Sequence, residues 1–268
     1  MQLPLVQVDA FAPTVFTGNP AAVVRLGHTD VAASVLQQIA AENNLSETAF
    51  VRATPQAGVF GLRWFTPTLE VDLCGHATLA AGSVVLLDDG LETVRFETRS
   101  GPLEVRRDGA DFAMDLPIIP WSSTPADPQV DAVLGARPEA LFEVRQTHGA
   151  RYRMARFGRA SDIAALRPDL TRMGDQMGMN IVVTAPGDAP GLDFVSRFFG
   201  PGSGVPEDPV TGSAHCTLAP YWAEVLSKGT LVAEQRSARG GRLRCRVTDG
   251  RVTLTGPCSR YLTGSILV

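Results

Sequence analysis

Two stretches of this sequence repeat one another in order, and the repeat constrains the fold more than any other feature. Arg63-Trp-Phe-Thr-Pro67 matches Arg197-Phe-Phe-Gly-Pro201 at an offset of 134. Cys74-Gly-His-Ala77 then matches Thr211-Gly-Ser-Ala214 at an offset of 137. The turn signals Asp108-Gly109 and Asp249-Gly250 follow at an offset of 141. A strand, a loop, a helix and a hairpin thus recur in the same order, with a few loop residues inserted. That is the pattern of a duplicated domain.

The repeated helix sets the architecture. From Gly75 to Leu87 the chain is small and apolar all round, which predicts a helix buried on every side. The stretch after Ser213 has the same character. Strands are predicted near 45–51, 59–65, 92–98, 102–107 and 111–116 in the first half. In the second half they fall near 141–147, 151–157, 180–184, 193–199, 243–247, 251–255 and 265–268. Asp30 is placed to cap a helix over 31–43. The proline-rich stretch from Pro117 to Pro128 is the boundary. The reading is α+β with two pseudo-equivalent domains. The first is 1–118, joined by a last strand at about 260–268; the second is 126–259.

Composition removes several classes of function. A net charge of −4 with scattered basic residues does not suggest a nucleic-acid partner. No run of eighteen apolar residues marks a membrane span, and the start of the chain lacks the basic and apolar signature of a signal peptide. Cys74, Cys216, Cys245 and Cys258 form no C-x-x-C pair and no ligand spacing with the histidines. The expectation is a cytoplasmic protein with reduced thiols, no metal and no organic cofactor.

Chemistry concentrates at the two helix starts. Each opens on a glycine, Gly75 or Gly212, and unpaired N–H groups there favour a small anion. Ser213 adds a hydroxyl to the second. Glu207 and Asp208 lie just upstream of Thr211. If the two domains face each other, both helix starts point into one cleft. In the strand at 45–51, Glu47 shares a face with Ala49 and Val51, which points it inward. An imidazole beside a helix N-terminus resists protonation, so His76 is expected to be neutral and to bond a substrate or Asp208. Asn19 and Arg63 are ligand contacts or structural groups. His215 and Cys216 are read as packing.

Five motifs in order resemble the PhzF family, the phenazine-biosynthesis-like isomerases of the diaminopimelate-epimerase fold. They are Phe16-x-Gly-Asn-Pro-x-Ala-Val23, Asn44-Leu-Ser-Glu-Thr48, Arg63-Trp-Phe-Thr-Pro67, Cys74-Gly-His-Ala-Thr78 and Glu207-Asp-Pro-Val-Thr-Gly-Ser-Ala-His215. The resemblance implies two domains, each a β-barrel-like sheet wrapped around a central helix. It implies a small anionic metabolite in the cleft between them, no cofactor, and a homodimer. It also implies that a glutamate moves a proton, assisted by a histidine, an aspartate and a serine, here Glu47, His76, Asp208 and Ser213. Related epimerases use two opposed cysteines. Cys74 stands where the first would be, but Thr211 stands where the second would be, and a threonine hydroxyl is no base near neutral pH.

The leading expectation is a cofactor-independent isomerase with Glu47, His76 and Asp208 as catalytic groups and Gly75, Gly212, Ser213 and Asn19 as substrate contacts. Cys74 and Thr211 are secondary candidates. The alternatives are a racemase or epimerase using Cys74, and a non-catalytic metabolite-binding or protein-interaction protein. Substrate choice is expected from loops 13–19, 147–151 and 200–206.

Overall fold

The computed structural model describes residues 1–145 and 152–268. The chain divides into two compact units, Met1–Leu116 with Thr253–Val268, and Pro117–Val252. The first half runs β1 (Gln2–Ala10), β2 (Asn19–Gly27), α1 (Ala33–Asn43), β3 (Glu47–Ala53), β4 (Val59–Phe65), β5 (Glu70–Val71), α2 (Gly75–Asp88), β6 (Thr93–Glu97), β7 (Leu103–Asp108) and β8 (Asp111–Pro117). There follow β9 (Trp121–Thr124), α3 (Pro128–Leu134), β10 (Ala140–Val144), β11 (Tyr152–Arg156), α4 (Ala160–Ala165), β12 (Asn180–Pro186) and β13 (Phe194–Gly200). The chain ends with β14 (Val205–Asp208), α5 (Gly212–Leu226), β15 (Thr230–Gln235), β16 (Gly241–Thr248), β17 (Arg251–Gly256) and β18 (Cys258–Leu267). The far end of the strand expected at 141–147, the first residue of that expected at 151–157, and the 147–151 loop lie outside the described residues.

In the first unit the strand order is β18-β1-β2-β3-β4-β6-β7-β8. All pairs are antiparallel except β2–β3 and β4–β6, which are parallel. Helix α2 touches β18, β1, β2, β3, β6 and β7, so the sheet curls around it. Every residue from Gly75 to Leu86 is buried. Burial of side chains such as Leu79 and Leu86 contributes about 1.5–3 kcal/mol each. Gly82 lets the helix lie directly on β7, because a Cβ there would sit 2.5 Å from Val105.

The other face of the same sheet is covered by α1, where Leu36 and Ile39 pack with Ala22, Val24, Phe50 and Phe65. Strand alternation then puts Glu47, Ala49 and Val51 on the α2 face. Helix α1 starts later than its sequence pattern predicts. Its N-cap is Ala32, and no side chain caps it. Val31 is buried, so the chain enters extended and Asp30 is not a cap.

The second unit repeats this plan. Its order is β9-β10-β11-β12-β13-β15-β16, with β11–β12 and β13–β15 parallel and the other pairs antiparallel. The two-residue β5 lies on β4 as β14 lies on β13. Helix α5 is buried at Gly212 and continuously from Ala214 to Tyr221 and Trp222. Four strands were not visible in the sequence pattern: the two-residue β5, β9, β14 and β15. Strand β14 hides among Gly204, Pro206 and Pro209, which read as a loop. Among the described residues, no helix is long and apolar enough to cross a membrane.

Candidate active site

The first unit gathers four side chains at the start of α2. Parallel pairing sets Glu47 beside Ala21, and Asn19 lies two residues before Ala21 on the same face. Both therefore point toward the first turn of α2, where His76 stands. Asn19 Nδ2 lies 3.2 Å from His76 Nδ1. On the opposite edge of the ring, His76 Nε2 lies 3.1 Å from Glu47 Oε2. That contact is close but badly angled: both atoms are buried and neither completes a hydrogen bond. Cys74, the N-cap of α2, places Sγ 3.5 Å from His76 Nδ1.

Two groups here are electrostatically displaced. Burial pushes the Cys74 thiol above its ordinary value, and the Glu47 carboxylate adds to the effect. Burial opposes charge on His76, but the Cys74 sulfur and Glu47 carboxylate beside it override that, and the imidazole is held well above the usual histidine value. This direction runs against the expectation of a neutral His76. The helix-end effect is real but falls off within a turn, while a carboxylate sits 3.1 Å from the ring.

Linear spacing showed no ligand set among the cysteines and histidines. The fold nevertheless brings Glu47, Cys74 and His76 together, with one donor atom from each lying within 4.8 Å of the others. Gly75 is the first residue of α2, and no side chain caps the helix. Its N–H groups are open to an anion.

In the second unit, Thr211 is the N-cap of α5, again with no side-chain cap bond, and Gly212 opens the helix. Ser213 follows in the first turn and is half-buried. The Thr211 hydroxyl donates to Asp208 Oδ2. A residue not singled out from the sequence, Gln235, organises this turn. It is fully buried. Its Oε1 accepts from Thr211 N at 2.9 Å, and its Nε2 donates to the Asp208 carbonyl at 2.7 Å and to Thr211 Oγ1 at 3.1 Å. The only sequence signal was its place in the strand that follows the motif and α5, a strand that was itself not recognised.

His215 is packed under the same turn. Its Nδ1 lies 2.9 Å from the Thr211 carbonyl, which makes it the donor, and burial pushes its value down to about 4. Cys216 is buried and pushed up to about 12 by desolvation. Arg63 and Glu207 each hold an oppositely charged partner within their own unit. Arg63 grips Glu70 with two bonds, at 2.7 and 2.8 Å. Arg197 grips Glu207 in the same way, at 2.8 and 3.0 Å. Each guanidinium also lies over the phenylalanine two residues on. A cavity of about 550 Å³ beside Arg63 is on the α1 face of β3 and β4, opposite to Glu47.

The profile of phenazine biosynthesis-like proteins matches residues 8–264. The chain belongs to the phenazine biosynthesis-like, or PhzF, family. An uncharacterized isomerase of Pseudomonas aeruginosa is 48% identical over 268 residues, covering 99% of each chain. A crystal structure of a PhzF-family protein of Enterococcus faecalis superposes with a TM-score of 0.89 at 39% identity, covering 100% of both chains. A predicted epimerase of Pseudomonas aeruginosa shares the fold, with a TM-score of 0.76 at 22% identity and 99% coverage of each chain. The PhzF fold is thus an α+β duplication of sheet-wrapped helices, and the chain is grouped with isomerases.

The equivalent positions at the two helix starts carry different chemistry in the two halves of this PhzF-family member. Residues equivalent by strand register and helix start are Glu47 and Asn180, Cys74 and Thr211, and His76 and Ser213. The first unit holds an acid, a thiol and an imidazole. The second holds an amide and two hydroxyls, with Asp208 as its acid.

Proposed function

We propose that the protein is a cofactor-independent isomerase that moves a proton within a small carboxylate-bearing metabolite, with Glu47 as the acid/base. The observation that carries this is the state of the Glu47–His76 pair. Two buried polar atoms lie 3.1 Å apart without a completed hydrogen bond between them. Buried polar groups are normally satisfied, so this pair has capacity left for a substrate.

The Glu47 carboxylate takes a proton from a carbon next to an electron-withdrawing group. The electron pair left behind moves along the unsaturated system, and Glu47 returns the proton at another carbon. His76, held by Asn19, donates a hydrogen bond and balances charge as Glu47 passes between its two forms. General acid–base catalysis of this kind contributes typically ~10²–10⁴-fold. The uncapped start of α2 at Gly75 takes the substrate carboxylate. Gly212 and Ser213 form a second anion-holding end, and Asp208 assists beside Thr211. Names of full-length relatives as isomerases support the reaction class.

The test is solvent deuterium exchange at carbon, followed by NMR over a panel of unsaturated carboxylic acids. Glu47→Gln keeps the shape and removes the base. Exchange that depends on Glu47 supports the reading; a variant that exchanges at the wild-type rate overturns it.

Cys74 motivates a second reading, since its Sγ touches His76 Nδ1. As an epimerase, the protein would need Cys74 for deuterium entry at a stereocentre. Loss of exchange in Cys74→Ser, with exchange retained in Glu47→Gln, would select it.

A further inference from the structure

The cavity on the α1 face of the first unit lies apart from the groups around α2. Its volume of about 550 Å³ is within the ~300–1,000 Å³ range of small-ligand pockets. Helix α1 packs Leu36 and Ile39 with Phe50 and Phe65. The next row across the sheet is Arg52, Gly61 and Glu97, set side by side by the register of β3, β4 and β6. That row is left open, with Arg52 and Glu97 exposed. Gly61 keeps its middle flat: the nearest atom to a Cβ there would be Arg52 Cβ, at 3.7 Å. Leu26, Val31, Leu36 and Phe50 give the cavity an apolar floor.

Most charged groups around this floor are already matched. Arg63 holds Glu70 at 2.7 Å, Arg99 reaches the same carboxylate at 2.8 Å, and Glu97 takes Arg95 at 2.9 Å. Two are not. Among the described residues, the side chains of Arg52 and Asp30 make no hydrogen bond or ion pair, and Asp30 acts on Arg63 only through its charge. Both line the cavity. It therefore offers one guanidinium and one carboxylate beside an apolar floor.

We propose that this cavity binds a zwitterionic α-amino acid with an apolar side chain. The Arg52 guanidinium donates to the ligand carboxylate, a pairing that its planar fork suits. The Asp30 carboxylate accepts from the ligand ammonium. The ligand side chain crosses Gly61 and lies on the apolar floor. A plain anion meets Asp30 and Glu97 in the same space, and a plain cation meets Arg52, Arg63 and Arg99. A zwitterion satisfies both signs. Binding makes and breaks no covalent bond. All of the lining belongs to the first unit, on the sheet face opposite to Glu47. The site does not depend on the proton-transfer assignment.

The test is equilibrium dialysis of the full chain against radiolabelled L-phenylalanine and L-leucine. Saturable binding of one molecule per chain is the expected result. Phenylpropionate lacks the ammonium and phenethylamine lacks the carboxylate; each should compete at least ~10-fold more weakly than L-phenylalanine. Arg52→Gln and Asp30→Asn each weaken binding ~10-fold or more, and Gly61→Val abolishes it by filling the middle of the row. Glu47→Gln leaves it unchanged. Thermal melts establish that the variants fold. The absence of saturable binding, equal competition by either one-charge analogue, or unchanged binding in Arg52→Gln and Gly61→Val overturns the proposal. So does binding lost in Glu47→Gln and kept in Arg52→Gln, which would put the amino acid at the start of α2.

Discussion

Glu47 and Asn180 occupy the same place in the two halves of the chain. Each opens the strand that runs parallel to its neighbour, with Glu47 beside Ala21 and Asn180 beside Tyr152. Asn180 is 1% exposed and donates to Ser203 Oγ at 2.7 Å. The duplicated fold thus offers two equivalent positions and puts a carboxylate at only one. Restoring an acid in the second half is expected to be a stability defect. Asn180→Asp keeps the shape but buries an unpaired charge, at a cost of roughly 2–4 kcal/mol. Thermal melts against wild type at pH 7 and at pH 4.5 check this, with the larger deficit at pH 7, where the new carboxyl is ionised.

Gln235 predicts a different kind of loss. Its side chain makes three hydrogen bonds to the Asp208–Thr211 turn, and the Thr211 hydroxyl in turn donates to Asp208. Because Gln235 Nε2 fills one acceptor position of that hydroxyl, the hydroxyl proton faces the carboxylate. Gln235→Leu has a similar volume and makes none of these bonds. Stranding the Thr211 N–H and the Asp208 carbonyl destabilises the protein by about 2–4 kcal/mol. Urea denaturation measures it, and a midpoint equal to wild type would show that the amide does not hold the turn.

The sequence disclosed what is written in short contiguous runs. Cys74-Gly-His-Ala77 and Thr211-Gly-Ser-Ala214 declare two equivalent helix starts because cap, glycine and first turn are adjacent. The Glu47–His76 pair was legible only as two separate candidates, since strand parity gives a face and not a partner. The equivalence of Glu47 and Asn180 was hidden because the letters around them differ. It emerges from register alone. Gln235 was invisible for a related reason: its partners lie 24 and 27 residues away. Arg63 and Arg197 show the converse. Their place in the repeated motif was plain, but an arginine in a motif serves structure as readily as ligand, and the grips on Glu70 and Glu207 became visible only in the fold.

The contact between Gly82 and β7 gives a prediction about packing. An added methyl would lie 2.5 Å from Val105 Cγ1 and 2.6 Å from its Cβ. The helix is buried on every side, so it cannot move away. Gly82→Ala should cost about 1–3 kcal/mol despite its gain in helix propensity. Val105→Gly, which removes the Cβ as well as the two methyls, alone leaves a cavity and also destabilises. Together they should compensate, and a double-mutant cycle by denaturation would show a favourable coupling. Additive losses would mean that the close approach does not limit the packing.

His215 sets how the second unit responds to acid. Its ring is fully buried, donates from Nδ1 to the Thr211 carbonyl and lies 5.9 Å from Phe194. Burial moves its value from 6.5 down to about 4 in the folded state. Between those values the unfolded chain binds the extra proton and the folded chain does not. Stability therefore rises with pH through that window, and acidification from 6.5 toward 4 progressively removes it. At full effect the loss is roughly 3 kcal/mol. His215→Asn keeps a donor in reach of Thr211 and has no proton to gain. It should start less stable near neutrality, because it fills less volume, but show a flatter decline between pH 6.5 and 4. Denaturation midpoints across that range separate the two behaviours; parallel curves for wild type and variant would mean that another group carries the acid sensitivity.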